Sequence, residues 1–212
     1  MGRLDGKVMI VTGSGSGFGR GREKYHADNA PISCLKIVQK ALSEGALVLG
    51  IDINQPGNDA TLDSLPTTLS QNFCPFTGSV SHEQTWRDAL QMSREKFSAL
   101  PDTVVNCAGY VHLGADAHAV PEDDFDRVWQ VNVKPLYLTV KVVVPCWIAG
   151  KVAGHVINIG SIGSRRPRAS TIWYTASKGA LDTVRAYQLL SFLVRSLSSP
   201  TVFFETQVVL DG

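Results

Sequence analysis

Tyr174 and Lys178 stand four residues apart in Tyr174-Thr175-Ala176-Ser177-Lys178, a spacing that puts both side chains on one face of a helix. A phenol gives up its proton near ~10, too high for proton traffic at neutral pH. A neighbouring ammonium favours the phenolate and brings that value down, so the pair has the makings of a general acid/base. Near the N-terminus, Thr12-Gly13-Ser14-Gly15-Ser16-Gly17-Phe18-Gly19 follows an apolar run. A turn this rich in glycine lets backbone N–H groups approach a pyrophosphate, and the start of a following helix adds partial positive charge. Asp52 ends a second apolar run, where a carboxylate accepts hydrogen bonds from ribose hydroxyls and repels a 2′-phosphate, favouring NAD over NADP. Each feature alone has a plain alternative: a chance Tyr-x-x-x-Lys, a common glycine turn, an aspartate capping a strand.

Such groups cooperate only on a scaffold that gathers them. Short β-branched runs at residues 8–11, 47–52, 72–76, 103–106, 155–159 and 203–210 alternate with helical patterns at 81–97, 122–148 and 174–197. The alternation predicts an α/β protein: a single Rossmann-type doubly wound parallel sheet in three αβα layers, one dinucleotide-binding domain over residues 1–212. The strands are continuously apolar rather than alternating, so helices should cover both faces.

With 44% hydrophobic residues, 18% charged residues and a formal net charge of +1, the composition gives no reason to expect nucleic acid or a membrane as partner. Arg165-Arg166-Pro167-Arg168 is a lone basic knot. The apolar run at 142–149 falls short of a membrane span, and the N-terminus lacks a signal-peptide core, so a cytoplasmic location is expected. Cys34, Cys74, Cys107 and Cys146 have neither metal-knuckle nor redox-dithiol spacing, and reduced, buried thiols are expected. His82, His112, His118 and His155 have no metal-ligand spacing, and no metal site is expected.

Taken together, the ordered elements resemble the short-chain dehydrogenase/reductase family. Thr12-Gly13-x-x-x-Gly17-x-Gly19 matches its cofactor turn, and Asn106-Cys107-Ala108-Gly109 its Asn-Asn-Ala-Gly element on the central strand. Asn132, in Val131-Asn132-Val133, matches its helix asparagine, and Ser161, thirteen residues before Tyr174, its catalytic serine. Ser164 competes for that role at a spacing of ten. The match runs from Leu4 to about Ala186. The resemblance implies an alcohol–carbonyl oxidoreductase acting on a small organic substrate, of the kind met in secondary metabolism. Tyr174 would pass a proton to or from the substrate oxygen while hydride moves to or from the nicotinamide, and Ser161 would hydrogen-bond that oxygen. Lys178 would lower the tyrosine pKa and hold the nicotinamide ribose, and Asn132 would anchor a water linking Lys178 to solvent. Cofactor contacts are implied at Gly13, Ser16, Gly17, Phe18, Gly19, Asp52, Ile53, Asn106, Ala108, Gly109, Tyr174 and Lys178, with NAD preferred to NADP. Trp173 could line the substrate pocket or pack in the core. The implied partner is a second copy of the chain, in a homodimer or homotetramer pairing the helices from Phe125 and Tyr174. Val140, Val142, Val143, Val144 and Trp147 would supply the apolar contact, with Pro135 and Pro145 bending the first helix.

Two departures stand out. Gly19 and Asp52 are 33 positions apart, where the fingerprint expects about 20. The surplus is residues 20–33, polar and interrupted by Gly21 and Pro31, and the amphipathic pattern resumes with Leu35, Val38, Ala41 and Leu42. After about residue 187 the chain passes straight into what resembles the family's final helix and strand. A C-terminal block, including a strand and the Pro-Gly turn over the nicotinamide, is therefore expected to be missing, abbreviating the sheet and leaving a gap beside its centre. Ser79 also stands where the family has an aspartate against adenine. These departures support an alternative: a catalytically impaired or inactive variant, a non-catalytic nucleotide-binding or subunit-pairing protein. A redox-sensing regulator on the same scaffold is disfavoured, because it would not keep the Tyr174/Lys178 pair.

Overall fold

The apolar runs form six parallel strands: β1 (Val8–Thr12), β2 (Leu47–Asp52), β3 (Phe73–Thr77), β4 (Thr103–Asn106), β5 (Gly154–Ile159) and β6 (Val202–Gln207). The computed structural model describes residues 2–15, 34–112, 114–166, 169–195 and 202–207; the extra stretch at 20–33 lies outside them. The strand order β3-β2-β1-β4-β5-β6 winds outward in one direction from β1 and in the other from β4, which opens a crevice at the carboxyl ends of those two strands. Burial on both faces follows from the alternation of side chains along each strand. On β1, Ile10 packs with Trp86, Val104, Trp147 and Val156 on one face, whereas Met9 and Val11 pack with Val38, Leu42, Val48 and Phe73 on the other.

Helix α1 (Cys34–Ser43) turns Val38, Ala41 and Leu42 inward and stops at Gly45, whose φ of +92° suits glycine at a helix end. Helix α2 (Gln55–Asp63) and the single turn α3 (Thr67–Ser70) were not expected, because Gln-Pro-Gly-Asn-Asp-Ala-Thr-Leu-Asp has no apolar stripe. Asn54 starts α2 by accepting the Gly57 N–H, and proline sits in its first turn, where a missing N–H costs little. Helix α4 (Glu83–Phe97) buries Trp86, Ala89 and Leu90.

The long helix expected over 122–148 is broken into pieces: α5 (Glu122–Asn132), α6 (Lys134–Leu138), a π-helical turn over Thr139–Val143, and α7 (Val144–Gly150). Pro135 and Pro145 fall in the first turns of α6 and α7, so they mark starts rather than bends inside a helix. The stretch Glu122–Gly150 is long and apolar enough to cross a membrane by length and composition, yet several of its apolar residues, among them Val128, Leu136 and Leu138, are buried within the subunit, while Tyr137 and Ile148 are exposed. Val142, Val143, Val144 and Trp147 are buried in the subunit's own interior, which corrects the expectation that they form a subunit contact.

A second correction concerns the C-terminal third. Helix α8 (Ile172–Arg195) runs unbroken for 24 residues, so residues 189–193 continue the Tyr174 helix instead of starting another. Strand β6 then pairs with β5 from Gly154↔Val202 to Ile159↔Gln207. The side of β5 away from β4 is thereby covered, and the gap expected there from a block missing after residue 187 does not exist.

Trp147 is fully buried, donates its Nε1–H to the Pro101 carbonyl, and lies so close to Gly154 that a Cβ there would come within 2.1 Å of its ring. Trp147→Ala is expected to lower the unfolding free energy by about 3–5 kcal/mol, measured by urea denaturation, and Gly154→Ala should destabilise as well because the ring has no room to retreat.

Candidate active site

The site is assembled at the carboxyl ends of β1, β2, β4 and β5. Thr12, the last residue of β1, bridges the crevice: its Oγ1 accepts the N–H groups of Cys107 and Ala108, both at 3.0 Å, and donates to the Val105 carbonyl. Gly13 follows with φ +79°, and a Cβ there would lie 3.0 Å from both Ala108 Cα and Cys34 Sγ. Only glycine satisfies both the left-handed backbone and that approach.

Asp52 lies where expected, buried at the end of β2. One carboxylate oxygen accepts the Gly15 N–H at 3.0 Å, and the other accepts the Asn54 N–H at 2.8 Å. The turn is further held by α2: Ser14 Oγ donates to Asn58 Oδ1 at 2.6 Å, and Thr61 Oγ1 donates to the Ser14 carbonyl. Gly15 is packed so closely that a Cβ would come within 2.5 Å of the Asn58 nitrogen. Ile53 is 73% exposed beside Asp52. Ser16, Gly17, Phe18 and Gly19 lie outside the described residues.

At the other side of the crevice, Ser161 follows β5 and caps a 3₁₀ turn, Ile162–Ser164, its Oγ accepting the Gly163 N–H at 3.1 Å. Ser164, the competitor, has another task. Its Oγ lies 2.8 Å from the Ser161 carbonyl and 3.1 Å from Asp182 Oδ2, clamping the serine loop to α8. Tyr174 and Lys178 are one turn apart on α8, with Nζ 5.9 Å from the phenol ring centroid. Lys178 is buried and donates to the Ile159 carbonyl at 2.7 Å. Burial penalises its charged form and lowers its pKa to about 8. Among the described residues one of its three hydrogens has an acceptor, which leaves the ammonium able to donate to a ribose diol.

Asn132 ends α5. Its Oδ1 accepts the Tyr110 N–H at 2.8 Å, and its Nδ2 donates to the Tyr110 carbonyl at 3.0 Å and to Ser177 Oγ at 2.8 Å. Both amide hydrogens thus tie the loop after β4 to α8 beside Lys178; the side chain fixes positions rather than reaching the ammonium. The Asn106 amide is buried, donating to Asn158 Oδ1 at 2.9 Å, so any cofactor contact at this residue belongs to its backbone. Ala108 is held by Thr12, and Gly109 precedes the clasped Tyr110. Trp173 stands edge-on to Phe125 at 5.2 Å and donates to the Ala117 carbonyl, bracing the loop against α5.

Several positioning groups escaped sequence reasoning: Asn58, Thr61, Ser177, Asp182 and the partner of Cys107. Cys107 is not a reduced thiol here but is joined to Cys34 in a disulfide with the Cα atoms 5.9 Å apart. The two are 73 residues apart in the chain, and no local spacing signals the pairing.

The family model described as short chain dehydrogenase matches residues 33–187. The chain belongs to this family. It is 31% identical over 82% of its length to the short chain dehydrogenase ausX of Penicillium brasilianum, covering 58% of that protein. It is also 31% identical over 89% of its length to 4-formylbenzenesulfonate dehydrogenase of Comamonas testosteroni, covering 68% of it. The chain thus spans about three fifths of the length of the Penicillium relative. Among solved structures, the 3-ketoacyl-(acyl-carrier-protein) reductase of Brucella melitensis complexed with NADH superposes with a TM-score of 0.76 at 25% identity, over 97% of this chain and 76% of that one. The relatives of this short chain dehydrogenase family member are oxidoreductases, and structural neighbours hold nicotinamide cofactors.

A buried ammonium with a depressed pKa is a cost to folding. Between about 8 and the ordinary value of 10.5 the unfolded chain binds more protons at Lys178 than the folded one, so this group's contribution to stability improves as pH rises through that window. Lys178→Met is therefore expected to raise stability at pH 7 by about 1–3 kcal/mol. The gain should shrink by pH 10 in thermal denaturation.

Proposed function

We propose that this short chain dehydrogenase family member is an NAD-preferring oxidoreductase that interconverts an alcohol and a ketone or aldehyde on a small organic substrate. The observation that carries the reading is the buried Lys178 one helical turn from Tyr174, with two of its hydrogens uncommitted among the described residues beside the end of β5. Those hydrogens fit a nicotinamide ribose diol, and the Asp52 oxygens, each accepting one N–H, retain lone pairs for the adenosine ribose. Gly13, Ser16, Gly17, Phe18 and Gly19 would take the pyrophosphate, Ile53 the adenine, and the Asn106, Ala108 and Gly109 backbone the inner face of the dinucleotide. A bound dinucleotide supplies the hydride acceptor or donor.

Tyr174 gives or takes the proton at the substrate oxygen, and the ammonium of Lys178 favours its phenolate. Ser161 already accepts a hydrogen bond from Gly163, so its own proton is available to the substrate oxygen. Asp52 favours NAD, because a 2′-phosphate would meet its buried carboxylate. The protein is proposed to work in the cytoplasm as a homodimer or homotetramer, which light scattering at micromolar concentration checks.

The second reading, a non-catalytic member, has one observation in its favour: Gly15 is packed directly on α2 and bonded to Asp52, which tightens the adenosine end. NADH titration followed by turnover assays against a panel of small carbonyls separates the two; binding without turnover on any substrate would favour the second.

Tyr174→Phe is expected to lower kcat by roughly 10²–10⁴-fold with NADH affinity retained; substantial residual turnover would assign the proton to another group. Asp52→Ala is expected to weaken NAD binding and narrow the preference over NADP, and an unchanged ratio of the two affinities would remove Asp52 from the ribose.

A further inference from the structure

Cys107 takes the second place in Asn106-Cys107-Ala108-Gly109, where the family element has asparagine, and Cys34 is the first residue of α1. A departure from the family pattern is therefore joined covalently to the start of α1. Their Cα separation of 5.9 Å lies within the range a disulfide needs without backbone movement. Cys74 and Cys146 remain free thiols, so the pairing is selective. Its place in the fold is the crevice between β1 and β4. The Cys107 N–H is bonded to Thr12 Oγ1, and a Cβ on Gly13 would lie 3.0 Å from Cys34 Sγ. The bridge is thus the floor on which the first glycine of the turn rests.

In the dinucleotide-binding unit the turn runs straight into its helix, and the helix N-terminus lies on the pyrophosphate. Here Gly13 and Cys34 are 21 positions apart. The disulfide joins the start of that helix directly to the residue that follows β4.

We propose that Cys34–Cys107 is a reversible thiol–disulfide site whose oxidised form pins the N-terminus of α1 to the dinucleotide turn and whose reduction releases it, weakening dinucleotide binding. The inference rests on the dinucleotide reading above. Oxidation joins the two sulfurs and releases two protons and two electrons. The electrons reduce a disulfide of the glutathione class to two thiols, through a mixed disulfide with one of the cysteines. A dithiol reverses the exchange. The nicotinamide takes no part in either direction.

The test uses the full chain, oxidised with glutathione disulfide or reduced with dithiothreitol, together with Cys34→Ser. Alkylation under denaturing conditions followed by mass measurement is expected to label two thiols in the oxidised protein and four in the reduced one. NADH affinity, read by fluorescence titration, is expected to fall roughly 3- to 10-fold on reduction. Cys34→Ser should match the reduced protein and ignore dithiothreitol. Without NADH, Tm is expected to fall by about 5–10 °C on reduction. Four labelled thiols after oxidation would overturn the proposal, as would equal affinity in both forms or tighter binding by the reduced one. If NADH binds equally well to both forms, the tether fails and the dinucleotide reading stands. If neither form binds NADH, the reading fails and takes the coupling with it, while the Tm difference still reports the bridge.

Discussion

A parallel strand in the middle of a doubly wound sheet has a neighbour on each side, but the chain leaves those neighbours in opposite directions. Between β1 and β4 this opens a crevice, and among the described residues no strand pairs the backbone N–H groups that follow the end of β4. Thr12 resolves the conflict with one hydroxyl, which accepts from Cys107 and Ala108 and donates to Val105. The two strand ends are held at a fixed separation, and everything else hangs from them. Gly13 can turn away only because it rests on Ala108, and the loop after β4 can reach Asn132 only because its start is fixed. Asn132 passes that position on to Ser177 on α8, the neighbour of Lys178.

The same arrangement explains why a buried cation is tolerated. Lys178 lies in an interior where its charge is penalised, and α8 is held down around it by Ser177 on one side and by the Ser164–Asp182 clamp on another. Neither clamp is itself a cation partner. An ion pair would satisfy the ammonium better, but it would draw the charge away from the phenol one turn earlier. A carbonyl acceptor, Ile159, orients the amine without neutralising it. Stability is given up locally so that the charge stays available, a trade common at sites of chemistry.

The elements that could be read from sequence are those whose signal is local. Six apolar runs and the Tyr174–Lys178 spacing carry their geometry within a few residues, and the strands and α8 lie where those patterns put them. Helix α2 was hidden because its buried face is polar: Asn58 and Thr61 are inward not through hydrophobicity but through bonds to Ser14, Gly50 and Phe76, residues distant in the chain. The apolar run at 189–193 misled for the opposite reason. A helix continuing in register carries no cap or breaker, and nothing in such a run distinguishes a continuation from a new start. The valines at 142–144 carry no signal that separates a subunit contact from the core, because apolarity says that a surface is buried, not what buries it; the facing strands supply the answer. The Cys34–Cys107 pairing is a property of the crevice, and no spacing rule reaches across 73 residues.

One design recurs in the polar groups around the crevice. Each is held by a bond that uses one of its functions and leaves another directed to the site. Ser161 is fixed as an acceptor and keeps its proton. Lys178 is fixed through one hydrogen and keeps two among the described residues. Asp52 is fixed by one N–H on each oxygen and keeps lone pairs. The alternative, a fully satisfied network, would be more stable and inert, because a ligand could bind only by breaking a bond already made. An unanchored group would be reactive but mobile, and ordering it on binding would carry an entropic cost. Asn132 and Asn106 illustrate the contrast. Their amide hydrogens are both used or buried against the sheet, and their side chains accordingly act as framework. Whether a polar residue near the crevice takes part in chemistry or only in positioning follows from what its anchoring bond leaves over.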